Sequence, residues 1–305
     1  MGRIINKVKR LKILIAGASG YIGSYICQEY DGKHNLFKLK YKNGNLKNDY
    51  ITLDLTNKNE IKHFVKKSNK FDILIFLVGL AHKKGKDKDL KDFRILNKST
   101  LVNLLSVLKK NKKTPSKIIF ASTISVYGER MDKTRYYEDC LASPSSPYAK
   151  TKLESEKYLL ENFNKKSWIF RFAPVYTKDF NVNIDRRTKL GRFYYKVGDG
   201  SKKLSLCHGS NIVKSISGVL NNKIPHGIYN ISDKYNYTYN DLLSYVGSSN
   251  ILPIPSILVN LIFYLGKISG NYFIKENSIK LLSSNVYSSK KIRNFINFSS
   301  NLMNY

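Results

Sequence analysis

A short apolar run, Leu11–Ala16, passes without a break into Gly17-Ala18-Ser19-Gly20-Tyr21-Ile22-Gly23. Three glycines at this spacing, behind a strand and ahead of a helix, force a tight turn. They also let backbone come close to whatever sits at the helix start. Unbonded N–H groups and the helix dipole favour an anion there, and a pyrophosphate fits. Gly17, Ser19, Gly20, Tyr21, Ile22 and Gly23 are the expected cradle.

The rest of the first half repeats the alternation that such a turn belongs to. Strands are expected at Leu11–Ala16, Asn35–Lys42, Tyr50–Leu53, Phe71–Val78, Lys117–Ser122 and Trp168–Phe172. Helices are expected at Tyr21–Tyr30, Asn57–Ser68, Asp89–Lys110 and Pro147–Asn162. Strands that are continuously apolar, separated by helices, predict a parallel sheet covered on both faces. The expected fold is therefore α/β: a Rossmann-type doubly wound parallel sheet with a smaller C-terminal substrate-binding lobe. The boundary is set near Tyr176, with 1–176 as the dinucleotide-binding domain. Residues 177–305 form mainly the lobe, with some segments returning to the sheet.

Composition narrows the classes. The 305 residues are 42% hydrophobic, enough for a core. The formal charge is +31, from 53 Lys and Arg against 22 Asp and Glu. These cations are spread along the chain, so specific nucleic-acid binding is not expected, while a positive field would attract an anionic substrate. Cys27, Cys140 and Cys207 match no disulfide or zinc spacing, the five His are scattered, and no metal site is expected. Met1–Lys12 is basic but the apolar run after it is too short for a secretory signal, so a cytoplasmic setting is expected. Ile251–Gly266 is apolar yet interrupted by Pro253, Pro255 and Asn260. It is read as a buried helix of the lobe, with peripheral membrane contact as the lesser alternative.

Three further features carry chemistry. The second strand, Leu36-Phe37-Lys38-Leu39-Lys40-Tyr41-Lys42, has no acidic residue where NAD sites usually offer one to the ribose. Lys40 and Lys42 suit a 2′-phosphate, which favours NADP(H) over NAD(H). Asp54 follows the third strand and can accept from an adenine amine, or cap the next helix. Tyr148 and Lys152 lie four apart on one helix face, behind Pro147 and a capping Ser. A neighbouring ammonium lowers a phenol from its usual pKa near ~10 and makes Tyr148 a usable acid or base. Ser122-Thr123-Ile124-Ser125-Val126-Tyr127-Gly128 puts hydroxyls at the C-terminal end of a buried strand, where open α/β sheets bind ligands.

Together these motifs resemble the extended short-chain dehydrogenase/reductase family, in its NAD(P)-dependent nucleotide-sugar epimerase/dehydratase branch, over nearly the whole chain. GASGYIG is similar to the family's glycine signature, and LDLT at Leu53–Thr56 to its adenine-side segment, which adds Leu55 to Asp54. FLVGLAH at Phe76–His82 resembles its fourth-strand run and adds Val78 and Gly79 to the cofactor site. Asn97 matches its structural and proton-relay Asn. By register Thr123 takes the Ser/Thr position, and SPYAKTKLESE supplies Tyr148 and Lys152. RFAPVY at Arg171–Tyr176 resembles the segment leading to the substrate lobe, with Ala173 at the cofactor and Tyr176 at the substrate. GIYNISD and NVYSSKKI look like late landmarks. The loop after Tyr176 and the segment after Asn294 depart from the family pattern.

The resemblance implies hydride transfer at C4 of a nucleotide-diphosphate sugar, most simply a UDP-(6-deoxy)hexose. Thr123 would bond the sugar oxygen, Tyr148 would move its proton and Lys152 would hold the nicotinamide ribose. The reading favoured is 4-keto reduction for cell-surface polysaccharide synthesis, since the lysine-bearing strand and FLVGLAH both suit it. The alternative is a UDP-hexose 4-epimerase with retained NAD; a remote one is a non-catalytic NADP- or RNA-binding protein on the same fold. A homodimer through Asp89–Lys110 and Pro147–Asn162 is implied as well. Arg192 and Lys203 are candidate diphosphate partners.

Overall fold

Apolar runs too short to be helices and buried on both faces have one stable arrangement, the interior of a parallel sheet. The computed structural model describes residues 10–41, 49–80 and 90–304. In it β1 (Lys12–Ala16), β2 (Asn35–Lys40), β3 (Tyr50–Thr52), β4 (Ile73–Phe76), β5 (Lys117–Thr123), β6 (Ser167–Phe172) and β7 (Gly227–Ile231) form one sheet. Its order is β7-β6-β5-β4-β1-β2-β3, and β1 pairs in parallel with both β2 and β4. Strand order therefore reverses between β1 and β4, the switch point at which such sheets bind ligands beyond their strand ends. This is the doubly wound α/β fold expected, accompanied by further C-terminal helices and strands consistent with a substrate lobe.

The described residues fall into two compact units. Residues of 1–81 and 94–120 make the first; residues of 82–93 and 121–305 make the second. In the first, Ile13, Leu14, Ile15 and Ala16 are fully buried, as are Leu74, Ile75 and Phe76. Helix α1 (Tyr21–Tyr30) follows β1. Helix α2 (Lys58–Lys67) starts at Asn57, whose side chain accepts from the N–H groups of Asn59 and Glu60. The long helix expected over 89–110 is interrupted. Helix α3 (Leu90–Arg94) leads into a π-helical turn, Ile95–Ser99, before α4 (Thr100–Lys110). Leu101, Leu104, Leu105 and Leu108 form the buried stripe of α4.

In the second unit α5 (Pro147–Phe163) starts with Pro147 in its first turn, and Ser146 accepts from the Ala149 N–H. Strand β7 pairs in parallel with β6, from Gly227 opposite Trp168 to Ile231 opposite Phe172. Helix α6 (Gly209–Leu220) buries Ile212, Ile216 and Val219. A separate core gathers Tyr176, Ile184, Leu204, Leu206, Tyr237 and Leu242. A small sheet of Ile251–Ile254, Phe193–Val197 and Lys189–Leu190 precedes the helix pair α7 (Ser256–Ile268) and α8 (Tyr272–Leu282). The buried helix expected near 251–266 is corrected here: α7 buries only Val259 and Gly266. Its apolar surplus exceeds what one neighbouring helix can cover. Among the described residues no helix is long and apolar enough to cross a membrane, and no group of acidic, His and Cys side chains could hold a metal.

The glycine turn is built by close approach. Gly17 has φ +85°, and a Cβ there would lie 3.1 Å from the backbone of Leu77 and Val78. A Cβ at Gly23, inside α1, would lie 2.2 Å from the Gly17 carbonyl oxygen. Both neighbours are backbone, so relief requires moving the turn against β4. Gly23→Ala is expected to destabilise the protein by about 1–3 kcal/mol, read as a lower midpoint in urea denaturation; an unchanged midpoint would show that the turn has slack.

Candidate active site

The nucleotide half belongs to the first unit. Ser19, Gly20 and Tyr21 are exposed at the start of α1, with Ile22 partly and Gly23 fully buried. Gly20 caps α1 without a side-chain acceptor, and the first turn has no acidic residue. The helix start is thus electropositive, close to backbone and free of competing carboxylates. After β3, Asp54 Oδ1 accepts from Thr56 N (2.8 Å) and Thr56 Oγ1 (2.7 Å), while the Asp54 N–H donates to Glu60. Asp54 therefore organises the entry to α2, the capping alternative noted for it. Asn103 on α4 donates to the Leu55 carbonyl at 3.1 Å.

Beyond β4 lie Val78, Gly79 and Leu80. The fully buried Asn97 sits in the π-helical turn and takes both polar groups of Leu80. The Leu80 N–H donates to Asn97 Oδ1 at 2.6 Å, and Asn97 Nδ2 donates to the Leu80 carbonyl at 3.3 Å. This amide clamp fixes the chain directly after Gly79. Lys42 and His82 lie outside the described residues. Lys38 ion-pairs with Asp31 at 3.9 Å, and Lys40 ends β2 opposite Thr52 of β3.

The residues expected to handle the proton belong to the second unit. Thr123 ends β5 and caps a 3₁₀ turn, Ile124–Tyr127, its Oγ1 accepting from the Ser125 N–H at 3.2 Å. Its side chain is the polar group that acts on the Tyr148 hydroxyl, favouring the charged phenol. Lys152, buried one turn further along α5, donates from Nζ to the Ala121 carbonyl at 2.8 Å. Burial pushes the Tyr148 phenol up to about 12, with the Thr123 side chain opposing it. The same cause brings the Lys152 ammonium down to about 7, opposed by the Glu156 charge. Within the protein alone, loss of solvent is the larger influence on Tyr148.

A further turn along the same face, sequence reasoning missed Glu156 and its partners. Arg171 from β6 meets the Glu156 carboxylate through Nη2 (2.6 Å) and Nε (3.1 and 3.2 Å), and Ser122 donates to Glu156 Oε1. The Arg171 guanidinium lies 4.7 Å from the Tyr127 ring centroid, and the Tyr127 hydroxyl donates to Asn230 on β7 at 2.7 Å. Tyr-x-x-x-Lys-x-x-x-Glu is itself the available signal, a third residue at helical spacing with a basic residue on a later strand.

Ala173 is buried beyond β6 and donates from N to the Ile231 carbonyl at 3.0 Å. Tyr176 is fully buried; its hydroxyl donates to Asp233 Oδ2 at 2.7 Å, and Tyr237 donates to the same oxygen. Arg192 lies by the exposed Phe193 ring, and Lys203 is exposed on a short strand paired with Thr238. Neither stands among the Thr123, Tyr148 and Lys152 contacts.

A doubly wound sheet with a glycine cradle and a Thr–Tyr–Lys set defines a dinucleotide-dependent oxidoreductase class. Residues 13–232 match the model of the NAD dependent epimerase/dehydratase family, and the chain belongs to that family of enzymes acting on nucleotide sugars. It is 28% identical over 242 residues to an uncharacterized UDP-glucose epimerase, YtcB, of Bacillus subtilis, a match covering 69% of this chain and 72% of the relative. The fold is similar to that of UDP-glucuronic acid 4-epimerase from Bacillus cereus in complex with NAD: TM-score 0.70, 20% identity, 96% and 93% coverage. It is also similar to that of dTDP-glucose 4,6-dehydratase from Bacillus anthracis in complex with NAD: TM-score 0.67, 16% identity, 95% and 92% coverage.

These complexes correct the expectation of NADP(H) over NAD(H), since both hold NAD. The physical reason lies in what a lysine can signal here. With 53 Lys and Arg in the chain, cations at the end of β2 follow from composition. The two lysines described there have their own settings, Lys38 beside Asp31 and Lys40 alongside β3.

Arg171→Ala leaves the Glu156 carboxylate buried without its countercharge, and is expected to cost about 3–5 kcal/mol. Replacing the pair together, Glu156→Gln with Arg171→Met, is expected to recover much of that loss in chemical denaturation. Equal loss in both variants would show that packing, not the buried charge, sets the cost.

Proposed function

We propose that this enzyme interconverts the C4 epimers of a UDP-hexose and keeps NAD bound through the cycle. The observation that carries the reading is the buried Lys152, held to the Ala121 carbonyl of β5 one helical turn beyond Tyr148, with Thr123 at the end of the same strand. The cradle fits the cofactor: added Cβ atoms at Gly17 and Gly23 would crowd neighbouring backbone, and no acidic side chain competes for the start of α1. Gly17, Ser19, Gly20, Tyr21, Ile22 and Gly23 would hold the pyrophosphate. Asp54 and Leu55 would lie at the adenine, and Val78, Gly79, Lys152 and Ala173 at the nicotinamide side. Bound NAD supplies the oxidant for C4 and then the reductant that returns it.

The chain's own residues manage the proton. Tyr148 accepts the proton of the sugar 4-hydroxyl as C4 is oxidised and gives it back on reduction. Thr123 donates to the same oxygen and keeps it in line with the phenol. Lys152 stabilises the phenolate when charged, and its pKa of about 7 lets that charge respond to small changes nearby. Asn97 acts through Leu80, as a positioning residue for the segment after Gly79. A homodimer using the helices within 89–110 and 147–162 belongs to the same proposal.

Epimerisation is preferred to 4-keto reduction because the two structural relatives hold NAD, and the Bacillus subtilis relative is named a UDP-glucose epimerase. Incubating the purified enzyme with UDP-hexoses and no added reductant should yield the C4 epimer. Turnover only with a UDP-4-keto-6-deoxy sugar and added reduced cofactor would replace this reading with the reductase. Tyr148→Phe should lower kcat by about 10²–10⁴, with NAD affinity by fluorescence titration largely unchanged. Near-normal turnover in that variant would remove Tyr148 from the proton path.

The pH dependence has a definite sign. A charged Lys152 favours phenolate, so removing it makes Tyr148 harder to deprotonate. Lys152→Met should move the acidic limb of the pH–rate profile upward by about one unit or more. An unmoved limb would leave Lys152 only a binding role.

A further inference from the structure

Helix α7 has the composition of a core helix in an exposed position. Ile257, Leu258, Leu261, Ile262, Leu265 and Ile268 are each between 48% and 85% exposed. At ~100° per residue they occupy one continuous arc of about 140°, with Tyr264 on its edge. Val259 and Gly266, the two buried residues, lie on the opposite side. There α7 rests on α8: a Cβ at Gly266 would come within 2.8 Å of Ile274 and 2.9 Å of the Lys275 backbone. The close helix contact thus turns the aliphatic arc outward. Phe273, at the start of α8, is exposed as well.

The strand entering α7 continues the pattern. Leu190 pairs with Phe193, and Tyr195 with Leu252, so Leu190, Phe193 and Leu252 share one sheet face by alternation. All three are at least half exposed. Singly scattered apolar residues need no explanation, but a concentration of this kind marks a surface that meets something apolar.

The surrounding charge selects the occupant. Arg192 lies exposed in the turn between the adjoining strands, Lys267 in the last turn of α7 and Lys275 exposed on α8; Lys189 is paired with Asp185 at 2.8 Å, and Lys196 alternates to the other sheet face. Glu276 is the one acidic residue between Ile251 and Leu282, and it is paired with Lys280 at 2.5 Å. Two copies meeting through this face would set cations against cations. An anionic bilayer offers negative headgroups to the cations and acyl chains to the aliphatic arc. The 13-residue helix is about 20 Å long against a hydrocarbon core of about 30 Å. It can lie in the interface but not span it.

We propose that the outward face of α7, with the exposed start of α8 and the apolar face of the strands leading into it, docks on the surface of an anionic lipid bilayer. Membrane contact is then peripheral and reversible.

Vesicle flotation tests this with the full chain. At near-physiological salt, wild-type protein should float with phosphatidylglycerol–phosphatidylcholine vesicles and much less with phosphatidylcholine alone. Ile257→Ser, Leu261→Ser and Leu265→Ser combined should reduce flotation at least tenfold, with far-UV circular dichroism and NAD binding unchanged. Lys267→Glu with Lys275→Glu should weaken it and leave the remainder less salt-sensitive. Three results would overturn the proposal. One is failure of the wild type to float on anionic vesicles. Another is undiminished flotation of the serine variant, which would mean overall charge alone is responsible. The third is a wild-type oligomer that the serine substitutions dissolve in light scattering, which would make the face a contact between copies.

Discussion

The buried carboxylate of Glu156 is the interaction on which the placement of Tyr148 and Lys152 depends. A charge withdrawn from water must be met by countercharge and hydrogen bonds or it unfolds its surroundings. Arg171 supplies the countercharge from β6 and Ser122 a hydrogen bond from β5. Since Glu156, Lys152 and Tyr148 are spaced by four along α5, satisfying the first sets the rotation of the helix for the other two. Lys152 then meets the Ala121 carbonyl, one turn from Tyr148. The placement of the Tyr148 phenol therefore follows from neutralising a carboxylate two turns away.

The nucleotide half is held by contacts of a different kind. Its strands end in irregular backbone, which needs partners because buried or half-buried peptide groups are costly to leave unbonded. Two asparagines six residues apart provide them. Asn97 takes the N–H and carbonyl of Leu80 after β4, and Asn103 takes the carbonyl of Leu55 after β3. The π-helical turn at Ile95–Ser99 is where Asn97 sits, so the irregularity in the helix and the order of the loop are linked. Gly17 and Gly23 complete this half by omission, leaving no side chain where backbone must meet backbone.

Charge on this protein acts at two scales. The excess of cations is a property of its surface and bears on what the molecule approaches. Inside, burial dominates and drives the Tyr148 phenol up and the Lys152 ammonium down together. The lysines of β2 show why the two scales must be kept apart. Their sign suggested a phosphate on the ribose, but a surplus distributed over the whole chain does not identify a single ligand.

Local pattern alone was enough for the strand-by-strand alternation, the glycine turn, the start of α5 at Ser146–Pro147 and the shared face of Tyr148 and Lys152. All depend on short-range sterics, capping and helical period, which are written in consecutive residues. Tertiary structure decided the rest. The interruption at Ile95–Ser99 answers to Leu80, seventeen positions before Asn97, and Glu156 acquires its meaning only from Ser122 and Arg171 on separate strands. Tyr176 gives its hydroxyl to Asp233, far along the chain. The apolar stretch after Pro255 reads as core until its packing is known. Sequence determines that such a segment is helical and hydrophobic, but only the neighbours available in space decide whether that face is covered.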